Sequence, residues 1–206
     1  MKESRNWRGH VGWLAGQLIV VFVGVSAAFV VENYRDNRNQ WAELHQALSG
    51  VIAELGRYET RGVELADGME ARISAWEQAD GNGTHAIPGY FRIPGATHPP
   101  SAAWTTMMSS GLARLIEPNL RTELGFFYSE VVGIHDNYDR YNQFTEREVL
   151  PRIALGPDAF YGTDGRIQPA FRVHMDLQRE FAADLRKLSL LAHDLRLKLE
   201  TVRGAN

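Results

Sequence analysis

Hydrophobic positions follow two regimes along this chain. From Val11 to Val31, VGWLAGQLIVVFVGVSAAFVV, 21 residues pass without a charged side chain, and only Gln17 and Ser26 are polar. A helix of that length rises about 31 Å at about 1.5 Å per residue, which matches the hydrocarbon core of a bilayer. Beyond it the pattern changes to steps of three and four. Trp41, Leu44, Leu48, Val51, Leu55, Tyr58, Gly62, Leu65 and Met69 make a heptad-like seam, with Glu43, Glu54, Arg57, Glu59, Arg61 and Glu64 off it. Trp76 closes the seam, and no proline falls within residues 1–87. The apolar segment is therefore expected to continue as one helix toward Gln78, with a bend near Glu32–Asn39.

Breakers divide the remainder. Asp80-Gly81-Asn82-Gly83 stops the first helix, and residues 80–100 read as a loop. Within that loop Tyr90, Phe91 and Ile93 suit a short extended piece packed on the helices. Ser101 suits an N-cap for a short helix, Ala102–Ser110, which Gly111 ends. Pro118 opens the next helix, on which Leu120, Leu124, Phe127, Val131, Ile134, Tyr138 and Tyr141 keep the three-four spacing. That helix should end near Pro151. Residues 156–169 form a second loop with a tight turn at Asp164-Gly165. The last helix begins near Pro169 and carries Phe171, His174, Gln178, Phe181, Leu185, Leu188, Ala192, Leu195, Leu199 and Val202 on one face, before Gly204 closes it.

These elements predict an all-α protein: an N-terminal transmembrane helix continuing into an extracytoplasmic antiparallel helical bundle with two long loops. The expected domains are a cytoplasmic N-terminus (1–10), a transmembrane helix (11–31) and an extracytoplasmic bundle (32–206). Lys2, Arg5 and Arg8 precede the span against Glu3, whereas Glu32, Arg35, Asp36 and Arg38 balance after it. Cations near a span stay in the cytoplasm, so the bulk of the chain is placed in the periplasm of a bacterial inner membrane. Trp7, Trp13, Tyr34 and Trp41 sit where interfacial aromatics belong. The alternative is secretion after signal cleavage at Val25-Ser26-Ala27, although the apolar run exceeds a usual signal core and continues past that point. Gly12, Gly16, Gly24 and Ala28 fall on one helical face, a candidate dimer face within the lipid.

Composition narrows the functions. The net charge is −3 while the first ten residues carry net +2, so the remainder sums to −5. That excludes a nucleic-acid footprint. There are no cysteines, which excludes disulfides, thiolate nucleophiles and Cys-ligated zinc. The expected partners are the lipid bilayer and either a second copy or another membrane protein.

Candidate chemistry is sparse. His135 and Asp139 share a helical face, and His174 or His193 would have to complete any metal set. Ordinary i,i+4 pairing on a solvated face is the favoured reading, and no metal or cofactor is expected. Ser109-Ser110-Gly111 lacks the pattern of a nucleophile elbow, so Gly111 reads as a helix stop. Asp158 with Asp164-Gly165-Arg166 lacks the alternation of a calcium loop and reads as a turn. Trp104, Tyr128, Tyr138 and Tyr141 belong to an aromatic-rich middle that is core by default and otherwise a ligand pocket between helices.

Three blocks carry a resemblance. Gly24 to Arg35, GVSAAFVVENYR, ends the span in Glu32-Asn33-Tyr34-Arg35; Ile52-Ala53-Glu54-Leu55 supplies a Glu-Leu pair; and Ala103 to Ile116, AWTTMMSSGLARLI, precedes a Leu-rich helix with tyrosine, Leu120 to Tyr128. Together these resemble a family of uncharacterised bacterial single-pass inner-membrane proteins, over the first 60 residues and about 100–145. The resemblance implies topology and helical fold, and no activity. The expected function is non-enzymatic: an interaction or scaffold protein at the membrane. A ligand-sensing bundle that signals through a partner is the first alternative, and an enzyme the second.

Overall fold

In the computed structural model of this chain, residues 7–93 and 101–204 are described, with side chains from Phe22 onward except Val23. The described chain is all-helical, and its only β pairing is an isolated bridge between Tyr161 and Ile167. Five α-helices follow in order: α1 (Trp7–Gly81), α2 (Ala102–Ser109), α3 (Pro118–Phe144), the single turn α4 (Leu150–Ile153) and α5 (Pro169–Gly204). The chain divides into two compact units, Met1–Gln46 and Ala47–Asn206.

In the first unit Phe22, Val25, Phe29, Val30, Val31 and Tyr34 are exposed. Gly24 has open space where a Cβ would stand, and Ala28 is exposed. Gly12 and Gly16, with the rest of Val11–Val21, lie outside the residues whose side chains are described. Among the described residues no helix is long and apolar enough to cross a membrane.

The second unit is a bundle of α1 from Ala47 onward, α3 and α5. The apolar seams expected on these helices are its core. Leu48, Val51, Leu55, Met69, Ile73 and Trp76 of α1 are buried, as are Leu124, Phe127 and Val131 of α3 and Phe171, Leu185 and Leu199 of α5.

Cross-helix contacts fix the directions. Along α1 and α5 the ion pairs step in opposite senses: Glu77–Arg179, Glu70–Arg186, then Glu59–Arg196. Along α3 and α5 they also oppose, from Glu123–Lys198 to Tyr141–Gln178 and Thr145–His174. Along α1 and α3 they rise together: Glu54 meets Tyr128, and Ala66 and Met69 cluster with Tyr138 and Tyr141. The expectation of an antiparallel bundle therefore holds for α5 alone, and α1 and α3 are parallel. Parallel neighbours need a long return, and the segment after α1 provides it. Gly89 lies against Arg72, Phe91 against Gly68, and Ala103 against Gly50, so these described residues meet successively earlier turns of α1 before α3 rises.

Local chemistry sets the element ends. Gly83 and Gly111 take the left-handed region with φ 72° and 75°, where a side chain is disfavoured. Glu117 caps α3 by accepting from the N–H groups of Asn119 and Leu120, and these two bonds lower its carboxyl pKa. Pro118 fills the first helical position, where no amide donor is needed. Before Pro151 the helix widens into a π turn, Thr145–Val149. A proline ring crowds the carbonyl four residues back, and the wider turn precedes it at just that spacing. The segment 156–168 is a compact loop whose turn at Asp164-Gly165 is held by Gly162 N–H to Arg166 O at 2.8 Å.

Gly62 marks the tightest crossing. A Cβ there would lie 2.1 Å from Ser189 Oγ and 3.1 Å from the carbonyl oxygen of Leu185. Gly62→Ala is expected to destabilise the bundle by about 1–3 kcal/mol through overpacking. Gly62→Ala with Ser189→Ala should recover part of that loss, because the two sites share one contact. Denaturant unfolding of the single and double variants measures both terms.

Candidate functional site

The return segment between α1 and α2 brings backbone N–H groups against helices whose own backbone groups are already paired. Three of them, and a fourth in the first turn of α2, end on side-chain oxygens. Ala86 N–H donates to Tyr161 Oη at 3.0 Å, Phe91 N–H to Tyr141 Oη at 2.8 Å and Ile93 N–H to Tyr138 Oη at 2.7 Å. Ala103 N–H, in the first turn of α2, donates to Glu54 Oε1 at 2.8 Å. Tyr90–Ile93, expected as a short extended piece, has no regular secondary structure and opens on a turn bond from Tyr90 N–H to Pro88 O; it is clasped by tyrosines three residues apart on α3.

Glu54 is the centre of the lower clasp. It is 2 % exposed, although the heptad pattern puts it off the seam. The apolar face of α1 is wider than one seam here, because α2 and α3 both pack on it. Its second oxygen accepts from Tyr128 Oη at 2.8 Å, and Tyr128 stacks on Trp104 with ring centroids 5.4 Å apart. Burial, then the hydrogen bond to Glu54 and its charge, raise the Tyr128 pKa; burial, then the Glu54 charge, raise that of Tyr58. Both phenols stay protonated.

The upper clasp sits over a buried polar layer. Tyr141 Oη accepts from Phe91 and donates to Gln178 Oε1 at 3.1 Å, and burial pushes its pKa up to about 12. Thr145 Oγ1 lies 3.0 Å from the carbonyl oxygen of Tyr141 and 3.1 Å from His174 Nε2. A carbonyl needs a donor, so the threonine hydrogen points there and His174 Nε2–H donates to Thr145. His174 stacks on Tyr141 at 4.2 Å, and burial pushes its pKa down to about 4, which keeps it neutral near pH 7. Among the described residues His174 Nδ1 and Gln178 Nε2, one helical turn apart, have no partner.

The four aromatic residues read from the sequence as a possible pocket fall into two pairs. Trp104 and Tyr128 belong to the Glu54 clasp, and Tyr138 and Tyr141 to the strap clasp. Ten residues of α3, about 15 Å, separate Tyr128 from Tyr138. Only Tyr141 of the four lines the cleft of about 410 Å³ between α3 and α5, which also holds Asn137, Arg140, Leu177, Glu180, Phe181 and Asp184. Glu54 was visible in the sequence only through the Glu-Leu pair of the resemblance.

The histidines go separate ways. His135 lies 3.6 Å from Asp139, His193 pairs with Glu59 at 2.9 Å, and His174 is in the buried layer. Among the described residues no group of three or more His, Asp or Glu side chains converges to hold a metal ion. Ser109 and Ser110 hydroxyls donate to the carbonyls of Thr106 and Met107 within their own helix. His85 pairs with Asp158 at 2.7 Å and stacks on Tyr161, which fastens the start of the strap to the second loop. No family model, curated protein or solved structure matches the chain.

Two outcomes test these clasps. Glu54→Ala strands the Ala103 N–H and the Tyr128 hydroxyl, and is expected to cost about 2–4 kcal/mol in urea unfolding. Glu54→Gln can accept from Ala103 and donate to Tyr128, so its cost should stay near or below about 1 kcal/mol. His174 has a folded pKa below its ordinary value, so the unfolded chain takes up its proton first as pH falls. The stability that His174 confers by staying neutral is full above about 6.5 and is lost from there down to about 4. The free-energy gap between wild type and His174→Gln should shrink across that window by at most about 1.4 kcal/mol per pH unit. A gap independent of pH would show that His174 titrates alike in both states.

Proposed function

We propose that this chain is a membrane-anchored helical bundle that works by binding other protein surfaces rather than by catalysis. In this reading Val11–Val31 crosses the bacterial inner membrane, residues 1–10 stay in the cytoplasm and residues 32–206 face the periplasm. The charge asymmetry around the segment supports that orientation. So does the exposure of Phe22, Phe29, Val30 and Val31, apolar side chains that the chain itself leaves uncovered.

The observation that carries the interaction reading is how polar and apolar groups are distributed. Glu54, Tyr138, Tyr141 and Tyr161 spend oxygens on holding backbone in place, and Tyr128 spends its hydroxyl on Glu54. Large apolar side chains stand outside instead: Phe126, Val132, Leu177, Leu190 and Leu191 are exposed. A surface of that kind binds partners. The α3–α5 cleft favours a second reading, a ligand sensor. Tyr141, Leu177 and Phe181 give the cleft an apolar wall, and Arg140, Asn137, Glu180 and Asp184 give it polar groups of both signs, which suit a small molecule with an apolar body and a polar end.

Crosslinking and pull-down of the tagged full-length chain from native membranes test the first reading. The expected result is a crosslinked species above monomer mass in the membrane fraction. Recovery of monomer alone would overturn it. A reporter fused after Asn206 should be active outside the cytoplasm, and activity inside would reverse the topology.

A further inference from the structure

Most charges that face across this bundle are closed into ion pairs. Arg179, Arg186 and Arg196 of α5 reach carboxylates of α1, and Lys198 reaches Glu123 of α3. Arg140 of α3 and Glu180 of α5 differ. The contacts Glu123–Lys198, Tyr138–Phe181 and Tyr141–Gln178 set the register of these two antiparallel helices. In that register Arg140 lies level with Glu180, and Asn137 close to level with Asp184. All four line the cleft of about 410 Å³ between the helices, yet they do not close on each other. Arg140 donates to Asn137 Oδ1 on its own helix, Asp184 meets Lys187 on its own helix at 3.4 Å, and Glu180 has no polar partner among the described residues.

Below these charges the cleft is apolar. Tyr141 and Phe181 are buried and form its floor, and half-exposed Leu177 forms a wall. Asn137, Arg140 and Asp184 also line a neighbouring depression of about 320 Å³, whose remaining residues are mostly polar. The three shared residues therefore mark the mouth, where an apolar groove opens onto a polar one.

We propose that the α3–α5 cleft binds a free α-amino acid with an apolar side chain. The inference rests on the ligand-sensor reading above and names its ligand class. The ligand's carboxylate accepts from the Arg140 guanidinium. Asn137 gives its amide oxygen to Arg140, which leaves its NH2 group as a second donor to the same carboxylate. The ammonium donates to Glu180 and Asp184 on the facing helix. The apolar side chain covers Tyr141, Leu177 and Phe181. A head group with both charges is required because a purely anionic one would sit against two carboxylates, and a purely cationic one against Arg140. Opposite charges held apart on facing helices, over an aromatic floor, match a ligand that carries both charges on one carbon beside an apolar group. The cavity lies toward the small end of the range of about 300–1,000 Å³ in which small molecules bind, which agrees with a ligand of this size.

Isothermal titration of the solubilised full-length chain tests the assignment with three probes of one shape. These are L-phenylalanine, phenethylamine, which lacks the carboxylate, and 3-phenylpropionate, which lacks the ammonium. L-phenylalanine, or L-leucine in its place, should bind at least about tenfold more tightly than either truncated probe. Arg140→Gln should bring the affinity for L-phenylalanine down to that for phenethylamine. Glu180→Gln with Asp184→Asn should bring it down to that for 3-phenylpropionate. Leu177→Trp, which fills the cleft and leaves every charge in place, should abolish binding. Circular dichroism melts separate these effects from unfolding, and the three-probe comparison on the unaltered chain stands whether or not a variant folds. A truncated probe that binds as tightly as L-phenylalanine, or no binding of either amino acid, would overturn the proposal. A thermal-shift screen of varied small molecules then separates it from the reading beneath it. A compound of other chemistry whose effect Leu177→Trp removes would sink the amino acid and leave the sensor standing. No response to any compound would sink both.

Discussion

A strap laid along helices must find acceptors that helices do not supply. The N–H and C=O groups of a helix interior are paired with each other, so a peptide running past offers donors to a surface without free backbone acceptors. Because α1 and α3 run parallel here, the chain has to return along α1, and the backbone donors of its described residues face that problem. Side-chain oxygens answer it at Ala86, Phe91, Ile93 and Ala103. A phenol suits the task because its ring packs in the core while its hydroxyl reaches the edge. The tyrosines of the middle of this protein are thus apolar filling and backbone acceptors at once. Gly89 completes the arrangement, since a Cβ there would come within 2.7 Å of the Arg72 carbonyl oxygen.

The sequence was legible where periodicity governs and illegible where topology does. The seams on α1, α3 and α5 read correctly because burial of an amphipathic face repeats every three or four residues. Helix ends read well because Gly111, Pro118, Pro169 and Gly204 act through local sterics. The direction of α3 did not read, because a loop of about 20 residues permits either a turn or a full return, and periodicity has no sign. Glu54 shows the same limit. Its place off the seam predicts solvent, yet α2 covers it, and α2 is there only because the strap comes down. Tyr128, Tyr138 and Tyr141 read as one aromatic set but serve clasps at two heights.

The clasps and the ion pairs differ in what they do for the fold. Arg186 bridges Asp67 and Glu70, and three hydrogen bonds to these two carboxylates hold its guanidinium charge firmly. These groups are half exposed, and water screens most of their attraction. Their value lies in register, since an α5 shifted by one turn along α1 would lose Glu77, Glu70 and Glu59 together. Glu54 and the tyrosines are buried, so an error there leaves donors without partners in a dry interior, which is much more costly. Specificity of direction comes from the surface pairs, and specificity of the return path from the buried ones.

That division bears on what the molecule is for. A catalytic site needs polar groups with spare valence, held open toward a substrate. Here the buried oxygens of Glu54, Tyr138 and Tyr161 are already occupied by this chain's own backbone. Among the described residues, His174 Nδ1 and Gln178 Nε2 have no partner but are buried in the core, where burial keeps His174 neutral. What the bundle leaves available is the outside of α3 and α5, with phenylalanine, valine and leucine exposed beside glycine. The described interior is thus fastened by its own side chains, while α3 and α5 carry apolar groups on their outer faces.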